Sequence, residues 1–499
     1  MIVMNYTQAR YYFYFALAFS LPIKLYLAHT LPLTGDEAYF VLWAQNPALG
    51  YYDHPPLVGW LIHLSLKIHE SELFVRLPSI LGGYVLVWGI YYTLRDQDRT
   101  RAILVSTIFL LTPVYLLGVM VSTDTPLIVA MFLSAMVLYR AEQKDSSGLY
   151  LVSGILLGLA FLSKYFAALL LLAYLIHFLS LGFKRLDRLA LVLLGCMPLI
   201  LLNLYWNYTH CWANIMFNFI NRTQDPQVSL VQPLALLAVL VWIISPVLAV
   251  QFLRNLKNII SIIKAKGFGL FFLTALVPLG VFFAVSWFYS VGLHWVLGFI
   301  PFLYLIYAHI PGKSLVFARK FMLGYALVHA IIVVILLSLP LDVIRNSPSL
   351  HQNAIFYLRP AELAEAVNAL DADHYTTSSY SRSAVLSFYS RHYWGVLGTG
   401  SKYGREDDRL TDFRKLDGKD ILFLSRRPAL DTDMLEPFFS SVEIHLIELK
   451  GTEFAVGIGR EFNFLNYQVE VLADIKKRYY DIPDLLPQGA CYFIDRYFQ

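Results

Sequence analysis

Residues 321–339 read FMLGYALVHAIIVVILLSL, nineteen positions without a formal charge, and Pro340-Leu341-Asp342 closes the run. A helix of about 20 such residues crosses roughly 30 Å of hydrocarbon. Toward the N-terminus the chain repeats this pattern; past Pro340 it stops. Residues 1–339 hold 21 Lys+Arg and 12 Asp+Glu, a net of +9, whereas residues 340–499 hold 18 and 23, a net of −5. The charge density of the second stretch is that of a soluble domain. The sequence therefore predicts a transmembrane domain over 1–339 and a soluble α/β domain over 340–499.

The composition agrees. Hydrophobic residues make up 58% of the 499 positions and charged residues 15%, against roughly 45–50% and about 25% in soluble domains. No soluble fold of this length could bury so much apolar side chain with so few charges for its surface. Aromatics at 15% and only three Cys exclude a disordered chain and a disulfide scaffold. The acidic second domain argues against a nucleic-acid partner. The expected class is a polytopic α-helical membrane protein.

Working outward from residue 321, we read eleven spans: 9–30, 73–94, 102–121, 126–141, 148–163, 165–181, 187–206, 231–252, 268–288, 293–310 and 321–339. The first has too long an apolar run for a cleaved signal peptide. The even-numbered loops carry fifteen cations: Arg95, Arg99, Arg101, Arg140, Lys144, Lys184, Arg185, Arg188, Arg254, Lys257, Lys264, Lys266, Lys313, Arg319 and Lys320. The odd-numbered loops carry four: Lys67, Arg76, Lys164 and Arg222. Positive charge favours the cytoplasmic side, so the N-terminus is expected inside and residues 340–499 outside. Cys211 and Cys491 both fall outside, where a disulfide is permitted, although their spacing gives no support for a pair.

That topology gathers the unusual polar residues on the outer face. The long first outer loop, 31–72, holds Thr34-Gly35-Asp36-Glu37 and Tyr51-Tyr52-Asp53-His54-Pro55-Pro56. Later outer loops bring Ser122-Thr123-Asp124-Thr125-Pro126, Ser163-Lys164-Tyr165, the stretch with Asn207, His210, Asn221, Arg222 and Asp225, and His294-Trp295. Ionisable groups at membrane depth usually mark function. Each also has a structural reading. Thr34 and Glu37 have the spacing of a capping box, and Asp53 and Asp124 stand where an acid caps a helix with Pro in its first turn. His210 and His294 could pack at the interface beside Trp212 and Trp295. Lys164 has no acid nearby in sequence, which makes a ligand phosphate a fitting partner. Together these groups suit transfer chemistry: a carboxylate takes a proton from a hydroxyl acceptor, and cations stabilise a departing lipid phosphate.

Gly35-Asp36-Glu37-Ala38-Tyr39, Gly50-Tyr51-Tyr52-Asp53-His54-Pro55-Pro56-Leu57 and Thr123-Asp124-Thr125-Pro126-Leu127 resemble motifs of the GT-C membrane glycosyltransferases of the protein O-mannosyltransferase and aminoarabinose (lipid A) transferase type. Gly158 to Lys164, Trp206-Asn207 with His210 and Trp212, and His294-Trp295 ahead of Pro301 resemble the bacterial branch. In the C-terminal domain, Glu362-Leu363-Ala364 and the stretch Tyr380 to Tyr389 resemble its small α/β cap. The resemblance implies a GT-C architecture with two interfacial helices in the first outer loop and a cavity at the outer leaflet. It implies an inverting hexosyl or pentosyl transferase of the inner membrane, with a polyprenyl-phosphate-linked sugar as donor and a lipid, glycan or protein as acceptor. By the same resemblance Asp36 is the catalytic base, with Glu37 and Asp124 in the catalytic set. Lys164 meets the donor phosphate, and His54, Asp53, Arg222 and His294 are further donor or substrate contacts. The aminoarabinose branch has Lys where this chain has His54, whose charge depends on its surroundings. Asp36, Asp53 and His54 could also hold a divalent metal.

The alternative is a transporter or flippase of an anionic lipid-linked sugar. It would favour inverted repeats and helices broken near the midplane, and the sequence has no repeat. In the C-terminal domain, Leu363, Ala366, Val367 and Leu370 have helical spacing, and 421–424 and 442–449 read as strands.

Overall fold

The computed structural model describes residues 4–222, 228–266, 268–425 and 430–499; Asp225, and the side chains of Lys264 and Lys266, lie outside the described residues. The chain divides into two compact units. The first comprises residues 1–30, 68–202 and 225–337, the second residues 31–67, 203–224 and 338–499. The unit that carries the C-terminal residues thus also contains most of the first outer loop and part of the fourth.

The first unit is helical. Tyr6–Thr30, Glu72–Leu94, Asp124–Lys144, Phe183–Tyr208 and Gly312–Ser338 are each long and apolar enough to cross a membrane. Three expected spans are shorter helices, Ser147–Phe161, Ala167–Leu181 and Gly269–Val285. Three others are broken. The expected 102–121 is Arg99–Leu110 followed by Pro113–Leu117. The expected 293–310 is Leu293–Leu297 followed by Ile300–Tyr307. The expected 231–252 is two helices, 231–244 and 246–261, that meet at 100°. At that corner Ser245 takes a left-handed φ of +83°, and Pro246 has no N–H to continue the ladder. Every apolar segment read from the sequence carries helix. By length and composition, five helices among the described residues are able to cross a membrane, or six with the bent pair taken as one span.

The second unit is built on a five-stranded sheet of order β2-β1-β3-β5-β4. The strands are β1 (His374–Thr377), β2 (Trp394–Val396), β3 (Ile421–Leu424), β4 (Ser441–Leu449) and β5 (Thr452–Arg460). β1 pairs in parallel with β2 and β3, and the helix Tyr380–Ser390 makes the β1-to-β2 crossover that parallel strands require. β5 runs antiparallel to both of its neighbours, β3 and β4. All four residues of β3 are buried, as a central strand covered on both faces should be, whereas the edge strand β4 leaves Ile444 and Leu446 exposed. The expected helix near 362–370 is Pro360–Asn368, and both expected strands are present.

Cys211 and Cys491 form a disulfide across 280 positions of sequence. The unsupportive spacing is overruled by the fold. The Cys211 N–H donates to the Ala490 carbonyl at 3.0 Å, and the Trp212 indole N–H donates to the Pro487 carbonyl at 2.8 Å. The tail is therefore laid alongside Cys211 independently of the bridge. Opening the bridge by Cys491→Ser is expected to cost about 2–4 kcal/mol, read as a lower unfolding temperature of the full chain in detergent. An unchanged temperature would mean the backbone contacts alone hold the tail.

Candidate active site

In the second unit the first-loop acids have three different environments. Thr34 is the N-cap of the helix Gly35–Gln45, and the capping box is complete. The Glu37 N–H donates to Thr34 Oγ1 at 3.3 Å, and Glu37 Oε2 accepts from the Thr34 N–H at 3.1 Å and its hydroxyl at 3.2 Å. Glu37 is 1% exposed. Asp36, one residue earlier, turns the other way because adjacent helical side chains do not share a face. It is exposed, and its Oδ1 accepts a 3.0 Å hydrogen bond from the Tyr380 hydroxyl.

Asp53 is 7% exposed. Its Oδ1 accepts from the Gly404 N–H at 3.2 Å, the Tyr39 hydroxyl bonds its carboxylate, and its carbonyl accepts from Asn218 Nδ2 at 2.8 Å. Burial lifts the Asp53 carboxyl to about 7, with the nearby charges of Glu406 and Asp36 adding to the rise and the Tyr39 and Gly404 bonds opposing it. Glu406 is 2% exposed; it accepts from the Tyr52 N–H at 2.9 Å, pairs with Arg409, and its own N–H donates to the Tyr39 hydroxyl at 3.0 Å. Burial raises this carboxyl as well.

A raised acid binds its proton more tightly when folded than when unfolded. Between about pH 4 and pH 7 the folded chain keeps a proton on Asp53 that the unfolded chain has released. Stability from this group is complete below pH 4 and is lost as the pH rises through 7. Thermal unfolding at pH 5 and pH 8 should therefore show a drop in the native chain that is smaller in Asp53→Asn. An equal drop in both would place the effect elsewhere.

His54 is half-buried, its ring edge-on to Trp43 and Phe217 with centroids 6.4 Å from each. Arg222 is half-buried, and its N–H donates to the Phe217 carbonyl at 3.1 Å. No three His, Cys, Asp or Glu side chains among the described residues are arranged to hold a metal ion. Asp36, Asp53 and His54 thus do not converge as a metal cage: Asp53 is committed to Gly404 and Tyr39, and Asp36 to Tyr380.

The first unit holds Asp124, Lys164 and His294. Lys164 Nζ lies 3.0 and 2.9 Å from the two Asp124 oxygens, and both side chains are about 95% buried. The acid partner that is missing within a few residues of Lys164 comes from 40 positions away. Asp124 begins the helix Asp124–Lys144, and its N–H donates to Ser122 Oγ at 3.2 Å. His294 is exposed in the short helix Leu293–Leu297. Lys24 is a cation the pattern of loops passed over: it is 2% exposed inside the helix Tyr6–Thr30 and donates to the Gly118 carbonyl at 3.2 Å.

Sequence reasoning also missed the C-terminal contribution to the loop acids. Arg405 to Arg409 is a run of five charged residues, and Arg405, Glu406 and Asp408 are all buried. The five charges in succession were the available signal, since an arginine at each end of three acids can pair with them away from water.

Three comparisons with known proteins bear on this geometry. Residues 53–206 match the family described as dolichyl-phosphate-mannose-protein mannosyltransferase. The lipid A galacturonosyltransferase RgtD of Rhizobium johnstonii is 28% identical over 182 residues, which is 35% of this chain and only 38% of that relative's length. The crystal structures of ArnT from Cupriavidus metallidurans, in the apo state and bound to undecaprenyl phosphate, superpose with TM-scores of 0.60 and 0.62. Each covers 89% of this chain and 97% of the ArnT chain at 15% identity, which shows a shared fold. The resemblance to GT-C membrane glycosyltransferases read from the loop motifs is borne out, and nothing in these findings favours a transporter.

Proposed function

We propose that this chain is an inverting glycosyltransferase of the inner membrane that moves a sugar from a polyprenyl-phosphate carrier to an envelope acceptor of the lipid A kind. Asp36 is the general base. The observation that carries this is the contrast between neighbours: Glu37 is 1% exposed and spent on its cap, while the Asp36 carboxylate is exposed. A base must reach the proton it removes. Asp36 takes the acceptor hydroxyl's proton, the acceptor oxygen bonds the anomeric carbon, and the bond from that carbon to the phosphate oxygen breaks with its electron pair on the phosphate. In the first unit, Lys164 is the cation assigned to the phosphate, with Asp124 holding it in place beforehand. His54, Arg222 and His294 are assigned to binding. Glu37 and Asp53 support the loop rather than react.

The second unit is assigned to the extracytoplasmic side. Fifteen cations against four in alternate loops favour that orientation, and the Cys211–Cys491 disulfide suits an oxidising compartment. A fold shared with a protein solved bound to undecaprenyl phosphate, and a stretch of similarity to a lipid A galacturonosyltransferase, support the donor and acceptor classes. The test is mass spectrometry of envelope lipids from a deletion strain, paired with donor consumption by the purified chain. The expected result is loss of one sugar increment from the lipids and turnover of a polyprenyl-phosphate sugar. An unchanged lipid profile together with an untouched donor would end this reading.

A further inference from the structure

We infer that Tyr380, on the C-terminal sheet domain, is a positioning residue for the base Asp36: its hydroxyl fixes one carboxylate oxygen and leaves the other free to take the acceptor proton. This rests on the assignment of Asp36 as base and adds to it a residue that none of the loop motifs contains.

The hydroxyl donates to Asp36 Oδ1 at 3.0 Å, and Oδ2 has no hydrogen-bond partner among the described residues. A single donor on an otherwise exposed carboxylate selects one rotamer from several, which is the kind of preorganisation that favours a near-attack geometry. Two contacts hold the ring in place. It stands edge-on to Tyr39 with centroids 4.9 Å apart. The Gly404 backbone lies directly on its face: Gly404 has φ +67°, and a Cβ there would come within 2.0 Å of the ring. Beside it, a Cβ on Gly35 would come within 2.5 Å of Ser381 Cβ, so the first turns of the helices Gly35–Gln45 and Tyr380–Ser390 meet at near-backbone distance. The neighbouring charges of Asp36 and Asp53, after burial, push the Tyr380 phenol up, which keeps it a donor at any working pH. Gly404 serves both acids at once, packing under Tyr380 and donating to Asp53. The groups facing this hydroxyl are Asp36, Asp53 and Tyr357, with Tyr39 and Glu406 beyond.

The test is Tyr380→Phe in the full chain, which removes one oxygen and keeps the ring contacts. The expected result is a kcat about tenfold lower, the loss of one hydrogen bond to a charged group, with an unchanged donor KM. Because a carboxylate deprived of a donor holds its proton more tightly, the acid limb of the pH–rate profile should move to higher pH. A fluorinated tyrosine at position 380, a stronger donor, should move that limb to lower pH and gives the same reading should the Phe variant fail to accumulate. The inference is overturned by an unchanged kcat, by a fall in kcat with an unmoved acid limb, or by a fluorotyrosine profile that stays in place. Asp36→Asn separates the two claims. If it is inactive while Tyr380→Phe behaves as native, only the positioning role fails. If it is active, the base itself has been wrongly assigned.

Discussion

Asp36→Asn is expected to lower kcat for sugar transfer by roughly 10²–10⁴-fold, the usual contribution of a positioned general base, with little change in unfolding temperature. The side chain is exposed at the start of its helix and holds one hydrogen bond, which an amide oxygen can still accept. Stability and chemistry therefore separate at this position. The neighbouring substitution is the control. Glu37→Gln keeps a residue that completes a capping box, so it should cost less than tenfold in rate and less than about 1 kcal/mol in stability. If the two variants exchange phenotypes, with Asp36→Asn active and Glu37→Gln dead, the base is the buried acid and the exposure argument is wrong.

The second large effect is on stability. Lys164→Met is expected to destabilise the chain by about 3–5 kcal/mol, because it strands the Asp124 carboxylate with its partner gone at about 95% burial. Asp124→Asn should cost a similar amount by stranding the ammonium. The double variant, Asp124→Asn with Lys164→Met, should recover most of the loss, since it removes both charges and leaves neither unpaired. Unfolding of the detergent-solubilised full chain measures all three. A double variant no better than the singles would show that the pair's value lies in neighbours other than each other. The same double variant also tests the phosphate assignment. Refolded stability with a raised donor KM fits a lysine that serves the donor as well as Asp124, whereas a native KM reduces the pair to a structural clasp.

The pair also shows where sequence reading reaches its limit. That Lys164 needs an anion follows from one cation between two apolar stretches. Which anion does not follow, because the partner sits 40 positions away and the two meet only when the helices Asp124–Lys144 and Ser147–Phe161 pack. The capping box behaves oppositely. Thr34 and Glu37 are three residues apart, their bonds are local, and the spacing alone disclosed them. Span positions were legible for the same reason, as continuous apolar stretches. Their continuity was not: the 100° corner at Ser245-Pro246 lies within a run whose apolar composition hides it.

What the sequence by itself determined is everything carried by composition and short spacing: a membrane chain, its apolar segments, the two sheet strands, the motif acids and the family they resemble. Only the tertiary structure decided which acid is spent and which is exposed. It also joined Cys211 to Cys491 and set Tyr380, Gly404 and Glu406 against the first loop. Hydrogen bonds and burial between residues some 280 to 350 positions apart leave no periodic trace along a chain, because the free energy that selects them depends on packing distance and not on separation in sequence.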